Sequence, residues 1–287
     1  MFLTKHKTPN GSRWAAEGHF LPPSLNLSTL LETQRVRMFE MLDSLLEIES
    51  VPDAALSVST LAPEASAGEC EEEAPIDPHQ EVWAAGVTYL RSRDARKAES
   101  AMANMYQKVY EAERPEIFFK SMGWRVSGNG GRIRIRRDSS WNVPEPELVL
   151  VINCHREIVG YCAGNDVSSR DIEGENPLYL PQAKIYNGSC ALGHGILLCE
   201  PGMIQNLPIR MEIRRADETI FNAEASTASM KRMMPELVEF LTRELDFPHG
   251  VFLMTGTCLV PNDFTLQMED VVIIQVGEMK IENKVQI

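Results

Sequence analysis

Three acidic residues in the middle of the chain are spaced so that they could hold one metal ion. Glu145 and Glu147 stand two apart, directly before the apolar run 148–152, and a strand turns residues two apart to the same face. Asp166 follows the next apolar piece, 157–162, so pairing of the two strands could carry it back beside the glutamates. Three converging carboxylates repel one another unless a cation lies among them. Oxygen ligands favour a hard ion, Mg²⁺ first, with Mn²⁺ or Ca²⁺ as alternatives.

A second interpretation of the same residues stays open at this point. Glu-Pro-Glu before a strand is also typical of a solvated loop, in which the two carboxylates face water and bind nothing. The residues alone therefore predict a metal site without excluding the loop.

The composition excludes several classes of partner. With 287 residues and a net charge of −13, the chain is long enough for a large core and repels nucleic acid and anionic lipid. The basic stretch 132–137 is therefore interpreted as a strand with a charged face. No apolar run reaches the roughly 20 residues of a membrane span, and the first residues lack a secretory signal, so a cytoplasmic protein is predicted. The six cysteines lack a CxxC pair and are expected to be reduced.

The apolar patterns predict an α+β fold that is mostly β. Residues 1–78 are predicted to form a small N-terminal domain that ends in a linker rich in Ala, Glu, Pro and Ser, 62–78, and residues 79–287 form the larger domain. Helical periodicity occurs at 94–111 and 230–245, whereas most other apolar runs are short and strand-like. Because strands and helices do not alternate, a doubly wound sheet is not expected.

The stretch 144–186 resembles the signature of the fumarylacetoacetate hydrolase family. It combines Glu-x-Glu, a later Asp and a Lys with the segment RDIEGENPLYLPQAKIY, and the resemblance covers roughly 79–287. It implies a mixed β-roll with flanking helices, metal ligands at Glu145, Glu147 and Asp166, a small 2-oxo acid as substrate, and a homodimer or larger homo-oligomer. Within the family, the segment is most similar to that of the sugar acid dehydratases.

The same resemblance implies roles for five residues. Lys184 matches the active-site lysine of the family; beside three carboxylates and one divalent cation its charged form is favoured, so it is expected to hold an enolate electrostatically. Proton transfer and a structural salt bridge are its alternatives. Glu116 is expected near the substrate, where it could protonate a leaving hydroxyl. Arg170 could pair with the substrate carboxylate, and Thr257 and Ser92 are placed with it among the substrate-binding residues.

Two departures from the hydrolytic members favour elimination over hydrolysis. Those members resemble Asn-Tyr-x-x-His where residues 88–92 here are TYLRS, so Ser92 replaces the histidine that activates water. Their Gly-Thr-Pro-x-Gly motif is replaced by GTCLV at 256–260. An elimination needs no external nucleophile, and so it is compatible with both losses.

The sequence therefore predicts a magnesium-dependent carbon–oxygen lyase acting on a 2-keto-3-deoxy sugar acid. A bound metal would acidify C3 by stabilising the enolate, after which the C4 hydroxyl leaves as water. A pentonate would yield 2-oxoglutarate semialdehyde. The alternative is an acylpyruvate or diketone hydrolase of the same family; a catalytically silent, metal-stabilised protein and a Schiff-base route through Lys184 are further hypotheses.

Overall fold

Strands dominate the structure, a computed structural model that describes residues 1–49, 71–90, 103–261 and 263–287. The strands are, in chain order, β1 Phe2–Thr8, β2 Gly11–Ala16, β3 His19–Phe20, β4 Glu71–Glu72, β5 Glu81–Gly86, β6 Glu116–Met122, β7 Arg132–Arg134, β8 Asn142–Val143, β9 Pro146–Ile152, β10 Ile158–Asp166, β11 Ser168–Ser169, β12 Cys190–Leu192, β13 Ile196–Leu198, β14 Pro208–Arg215, β15 Glu218–Ser226, β16 Val251–Thr257, β17 Val271–Val276 and β18 Met279–Gln286. The described α-helices are α1 Leu27–Leu31, α2 Arg35–Glu49, α3 Ala103–Glu111, α4 Arg170–Glu175, α5 Leu180–Lys184 and α6 Met234–Leu241. None of these helices is long and apolar enough to cross a membrane.

The strands form two large mixed sheets that pack on a shared core. The larger sheet runs β3-β2-β1-β13-β10-β9-β16-β5-β6, with β12 beside β10 and β4 beside β1, and the smaller runs β15-β14-β17-β18-β7. Only the β16–β5 and β18–β7 pairs are parallel among these described strands. A separate two-stranded sheet joins β8 and β11. The fold is therefore mostly β with few helices, as the sequence predicted.

Strand β9 lies in the middle of the larger sheet and is buried on both faces. Leu148 and Leu150 face the smaller sheet, in a core that includes Met211. Val149 and Val151 face the opposite way, into a second core beneath α1 and α2. Because each fully buried side chain of this kind contributes about 1.5–3 kcal/mol, the strand that carries Glu147 and directly follows Glu145 is among the best anchored in the fold.

The N-terminal strands extend the larger sheet, because β1 pairs with β13. Residues 71–78, which the composition placed in a linker, are packed: β4 pairs with β1, and Asp77 is buried. Asp77 accepts hydrogen bonds from Trp14 Nε1 (3.1 Å) and Ser28 Oγ (2.7 Å). The rest of the linker, 62–70, lies outside the described residues. The division of the chain at residue 78 stays a prediction.

Both predicted helices of the larger domain are observed, and the second of them is shorter than predicted. The pattern at 230–245 corresponds to α6, which has Pro235 in its first turn, where the missing N–H costs no hydrogen bond. The pattern at 94–111 corresponds to α3 from Ala103 onward, and its earlier part lies outside the described residues.

Candidate metal centre

Antiparallel pairing of β9 and β10 brings the three predicted carboxylates together. Glu147 lies opposite Gly164, and the backbone N–H of Asp166 donates to the carbonyl oxygen of Glu145 (3.0 Å). One side-chain oxygen from each of the three acidic residues lies within 4.8 Å of the other two. Each of these residues is at most 2% exposed. The convergence expected from the strand period and the strand pairing is therefore present, and the solvated-loop interpretation is wrong.

Both glutamates are oriented by a further hydrogen bond. Arg170 Nη1 donates to Glu145 Oε1 (3.0 Å), and the backbone N–H of Gly256 donates to Glu147 Oε2 (2.7 Å). Gly256 has a φ of +94°, and a Cβ at this position would lie 2.0 Å from Thr88 Oγ1. Only glycine can therefore present this N–H without displacing its neighbours.

Lys184, the last residue of α5, reaches two of the carboxylates. Its Nζ donates to Glu145 Oε2 (2.6 Å) and to Asp166 Oδ2 (2.8 Å), and the residue is 2% exposed. The same nitrogen lies 5.8 Å from the centroid of the Phe118 ring. The lysine therefore binds oxygen atoms that a metal ion at this centre would also use, so the two cations compete for them.

Lys120, on β6, is a second buried lysine at the same centre. It is 0% exposed, and its Nζ lies 2.5 Å from Asp166 Oδ1. It also donates to the carbonyl oxygens of Lys184 (2.6 Å) and Val167 (3.2 Å). Asp166 is therefore contacted by a different lysine on each of its two side-chain oxygens.

The surroundings shift the pKa values of the carboxyl groups in opposite directions. Burial, together with the charges of Asp166 and Glu145, raises the pKa of Glu147 well above its ordinary value. Burial also acts to raise the pKa of Asp166, but Lys120 and Lys184 hold it below its ordinary value. Of these two groups, Glu147 more readily keeps a proton in the absence of a cation, and a bound cation would displace that proton.

A small cavity of about 20 Å³ adjoins the carboxylates. Its wall includes Glu116 from β6, Glu173 from α4, Thr257 from β16 and Leu180 from α5, as well as Lys184. No histidine is among the described residues that line it. A larger groove, of about 570 Å³, lies elsewhere and contains none of the three converging carboxylates. The convergence of charged groups, rather than size, therefore marks the smaller cavity as the candidate site.

Gly86 makes room for the side chain of Glu116. The two residues are paired across β5 and β6, and a Cβ at Gly86 would lie 2.0 Å from Glu116 Oε2. We expect Gly86→Ala to displace this carboxylate and to lower kcat about 10–100-fold, since a shift of about 1 Å in a reacting group can cost about 100-fold. The melting temperature should change little, because the displaced atoms end a flexible side chain. Steady-state kinetics and thermal melts measure both effects.

The matched control is Gly202→Ala, because no atom lies within 4 Å of a Cβ at that glycine. It should leave both kcat and the melting temperature unchanged. A folded Gly86→Ala variant with the parental kcat would show that the position of Glu116 does not matter for turnover.

The remaining predicted site residues take up different positions. Arg170 is buried against Glu145, and Thr257 Oγ1 donates to the carbonyl oxygen of Leu259 (3.1 Å) while also lining the cavity. Glu116 lines the cavity, as expected. Ser92 lies outside the described residues. The substrate-binding roles of Arg170, Thr257 and Ser92 stay predictions.

Sequence reasoning missed Lys120, Glu173 and Gly86. A signal existed for Lys120, because a single lysine follows the apolar triplet Ile-Phe-Phe inside a strand-like run. A charged residue at such a position must find a buried partner or leave the strand. The position of Glu173 follows only from the packing of α4, and the need for glycine at residue 86 follows only from the pairing of β5 with β6.

Residues 81–286 match the family model described as Fumarylacetoacetate (FAA) hydrolase C-terminal. The chain belongs to the fumarylacetoacetate hydrolase family. Within this family it is 48% identical over 198 residues to the "Probable 2-keto-3-deoxyxylonate dehydratase" of Haloferax volcanii, a match that covers 68% of each chain. It is 42% identical over 213 residues to the 2-dehydro-3-deoxy-D-arabinonate dehydratase of Saccharolobus solfataricus, which covers 71% of this chain and 70% of that one.

The similarity to a solved structure extends over the whole chain. A solved structure of 2-keto-3-deoxy-D-arabinonate dehydratase complexed with magnesium and 2,5-dioxopentanoate matches with a TM-score of 0.80 and 32% identity. This match covers 100% of this chain and 99% of that one, so it includes the N-terminal strands as well as the metal centre.

The carboxylates in this member of the fumarylacetoacetate hydrolase family fit a magnesium ion. Mg²⁺ prefers oxygen ligands at about 2.1 Å in an octahedron, which places neighbouring ligand oxygens about 3 Å apart and opposite ones about 4 Å apart. The three buried carboxylates offer oxygens within 4.8 Å of one another, so only small side-chain movements separate this arrangement from coordination.

Proposed function

We propose that the protein is a magnesium-dependent dehydratase that removes water from a 2-keto-3-deoxy sugar acid, specifically a pentonate. The observation that carries the proposal is the convergence of Glu145, Glu147 and Asp166 with Lys184 at one buried cavity. The names of the dehydratases at 42–48% identity support a pentonate as the substrate. The compound in the related structure, 2,5-dioxopentanoate, has the composition of a 2-keto-3-deoxypentonate that has lost one water.

The three carboxylates would hold the metal ion. When bound, magnesium supplies Lewis-acid stabilisation for the negative charge that develops on the C2 keto oxygen as C3 loses its proton. Mn²⁺ and Ca²⁺ share the preference for oxygen ligands and are the alternatives.

Lys184 would stabilise the same developing charge. Its Nζ already lies 2.6 Å from Glu145 Oε2 and 2.8 Å from Asp166 Oδ2, and these carboxylates favour the charged form of the amine. A positive charge in a buried site acts on a developing anion far more strongly than it would in water. Electrostatic stabilisation is therefore the assigned role, with proton transfer from C3 as the alternative for a neutral amine.

Glu116 would handle the proton of the leaving group. The elimination breaks the C3–H bond, whose proton passes to a base, and the C4–O bond, whose hydroxyl group takes up a proton and leaves as water. The resulting compound has a C3=C4 double bond and reaches 2,5-dioxopentanoate by tautomerisation: C5 loses a proton, C3 gains one, and the enol formed at C4 and C5 becomes the aldehyde. Glu116 lines the same cavity as the metal ligands, and we assign to it the proton that the C4 hydroxyl group takes up. The absence of histidine from the described cavity wall supports elimination over hydrolysis, because no imidazole is present there to activate a water molecule.

Several further assignments belong to the same proposal. Arg170, whose guanidinium contacts Glu145, would pair with the substrate carboxylate. Thr257 and Ser92 would contact substrate oxygens. The protein would act in the cytoplasm as a homo-oligomer of at least two chains, with residues 1–78 and 79–287 as its two domains.

A substrate panel tests the proposed function. Incubation with Mg²⁺ and 2-keto-3-deoxy-D-arabinonate should produce 2,5-dioxopentanoate, detected as its hydrazone, and EDTA should stop the reaction until Mg²⁺ is restored. Acetylpyruvate serves as the second substrate, because a hydrolase would release pyruvate and acetate from it. Pyruvate release without semialdehyde would establish the hydrolase instead, and inertness toward both compounds would refute the proposal.

A further inference from the structure

We infer that Lys120 is a positioning residue that holds Asp166 and Lys184 in one fixed arrangement. The reaction proposed above assigns no step to this second lysine. The inference rests on the proposed function only in treating Asp166 as a metal ligand and Lys184 as the catalytic lysine.

The amine of Lys120 contacts three oxygen atoms. Its Nζ lies 2.5 Å from Asp166 Oδ1 and donates to the carbonyl oxygens of Lys184 (2.6 Å) and Val167 (3.2 Å). The side chain therefore links the carboxylate of Asp166 to the backbone of Lys184.

One consequence concerns the metal ligand. Lys120 contacts Oδ1 of Asp166, whereas Oδ2 contacts Lys184 Nζ. With Oδ1 in contact with the buried amine of Lys120, Asp166 offers Oδ2 alone to a metal ion. Lys120 thus sets both the orientation of this carboxylate and its mode of coordination.

A second consequence concerns the backbone of the catalytic lysine. Lys184 ends the short helix α5, and its carbonyl oxygen accepts from Lys120 Nζ (2.6 Å) and from Ser189 Oγ (2.8 Å). These two donors hold the peptide from which the Lys184 side chain extends toward Glu145 and Asp166. Strand β6, the end of strand β10 and helix α5 therefore meet at one amine.

The burial of Lys120 argues that this arrangement has a use beyond stability. The residue is 0% exposed, and taking a polar amine out of water is costly even when it has partners. A methionine of similar length would fill the same volume without that cost. The amine at this position is explained by the groups that it orients.

The test compares Lys120→Met with Lys5→Met, a matched change at another buried lysine. Lys5 is 7% exposed and donates to the carbonyl oxygen of Ile76 (2.8 Å), in a part of the larger sheet that contains no metal ligand. For Lys120→Met we expect a Kd for Mn²⁺, titrated by EPR, that is about 10-fold higher and a kcat about 10–100-fold lower, the range for groups that orient metal ligands. Lys5→Met should lower the melting temperature and leave the Kd and kcat unchanged. The inference would be overturned if folded Lys120→Met kept the Kd for Mn²⁺ and the kcat of the parent. It would also be overturned if Lys5→Met weakened Mn²⁺ binding and lowered kcat as much as Lys120→Met does.

Ser189→Ala provides a second and milder test, in case Lys120→Met does not fold. It removes one of the two donors to the Lys184 carbonyl and leaves the contacts of Asp166 intact. We expect kcat to fall about 5–10-fold, with KM and the Kd for Mn²⁺ unchanged, since a displacement of the catalytic lysine affects turnover alone. If Lys120→Met does not fold and Ser189→Ala keeps the parental kcat, the inference is also overturned. If the parental protein shows no dehydratase activity, the proposed function fails, but the Mn²⁺ titration of Lys120→Met still tests the positioning of Asp166.

Discussion

Glu147→Gln is expected to abolish metal binding and dehydration together. The amide oxygen of glutamine can still accept the N–H of Gly256, now 2.7 Å from Glu147 Oε2, so the local structure should persist. The variant loses one of the three carboxylates that converge within 4.8 Å of one another. We expect the affinity for Mg²⁺ to fall by more than about 100-fold, because removing a group that only orients a metal ligand already lowers metal affinity about 10–100-fold. Calorimetric titration with Mg²⁺ and semialdehyde assays measure the two effects.

The same variant should stabilise the metal-free protein. Burial and the neighbouring carboxylates raise the pKa of Glu147, so folding favours its protonated form. This preference stabilises the folded protein at pH values below the ordinary pKa of glutamic acid. The stabilisation is lost as the pH rises through the raised pKa of Glu147. Glutamine does not titrate, so in EDTA the melting temperature of Glu147→Gln should exceed that of the parent by a margin that grows with pH.

The exposed Glu218→Gln is the control, because it removes the same charge from the hairpin of β14 and β15, away from the cavity. It should retain metal binding, activity and the parental pH dependence. Parental Mg²⁺ affinity in Glu147→Gln would show that the three carboxylates do not share an ion.

Lys184→Met is expected to separate turnover from metal binding. Its Nζ binds Glu145 Oε2 and Asp166 Oδ2, so the amine competes with a metal ion for both oxygens. Removing it should leave the affinity for Mn²⁺ equal or higher. We expect kcat to fall about 10²–10⁴-fold, the range for loss of a group that stabilises or transfers charge in the transition state. EPR titration and single-turnover kinetics measure the two quantities.

The exposed Lys280→Met is the control for loss of a positive charge, and it should match the parent in every assay.

Two further results discriminate among the roles of Lys184. Loss of Mn²⁺ binding in Lys184→Met would assign the lysine to holding the carboxylates together. A covalent adduct at Lys184 after borohydride reduction in the presence of substrate would replace electrostatic stabilisation with a Schiff-base route.

The convergence of the three carboxylates could be predicted because their arrangement depends on local rules. A strand places Glu145 and Glu147 on one face, and a short antiparallel connection returns Asp166 beside them. Both rules act over a few residues and leave a visible pattern in the sequence. The mostly β fold followed in the same way from short apolar runs that do not alternate with helices.

The contacts that orient these ligands could not be predicted, because they join residues far apart in the chain. Lys120 contacts the carbonyl oxygen of Val167, 47 positions later, and the N–H of Gly256 reaches Glu147 across 109 positions. Arg170 was assigned to the substrate from the family signature, yet the structure places its guanidinium on Glu145. No periodicity records such pairings.

The sequence by itself determined the kind of chemistry at this centre, because residue type and strand period decide which carboxylates can converge and which ions they prefer. Only the tertiary structure decided how that chemistry is held in place. Packing of β6, β10, β16, α4 and α5 around one cavity places two lysines on Asp166, an arginine on Glu145 and a backbone amide on Glu147. These partners come from separate elements, and their positions depend on the packing of the whole core.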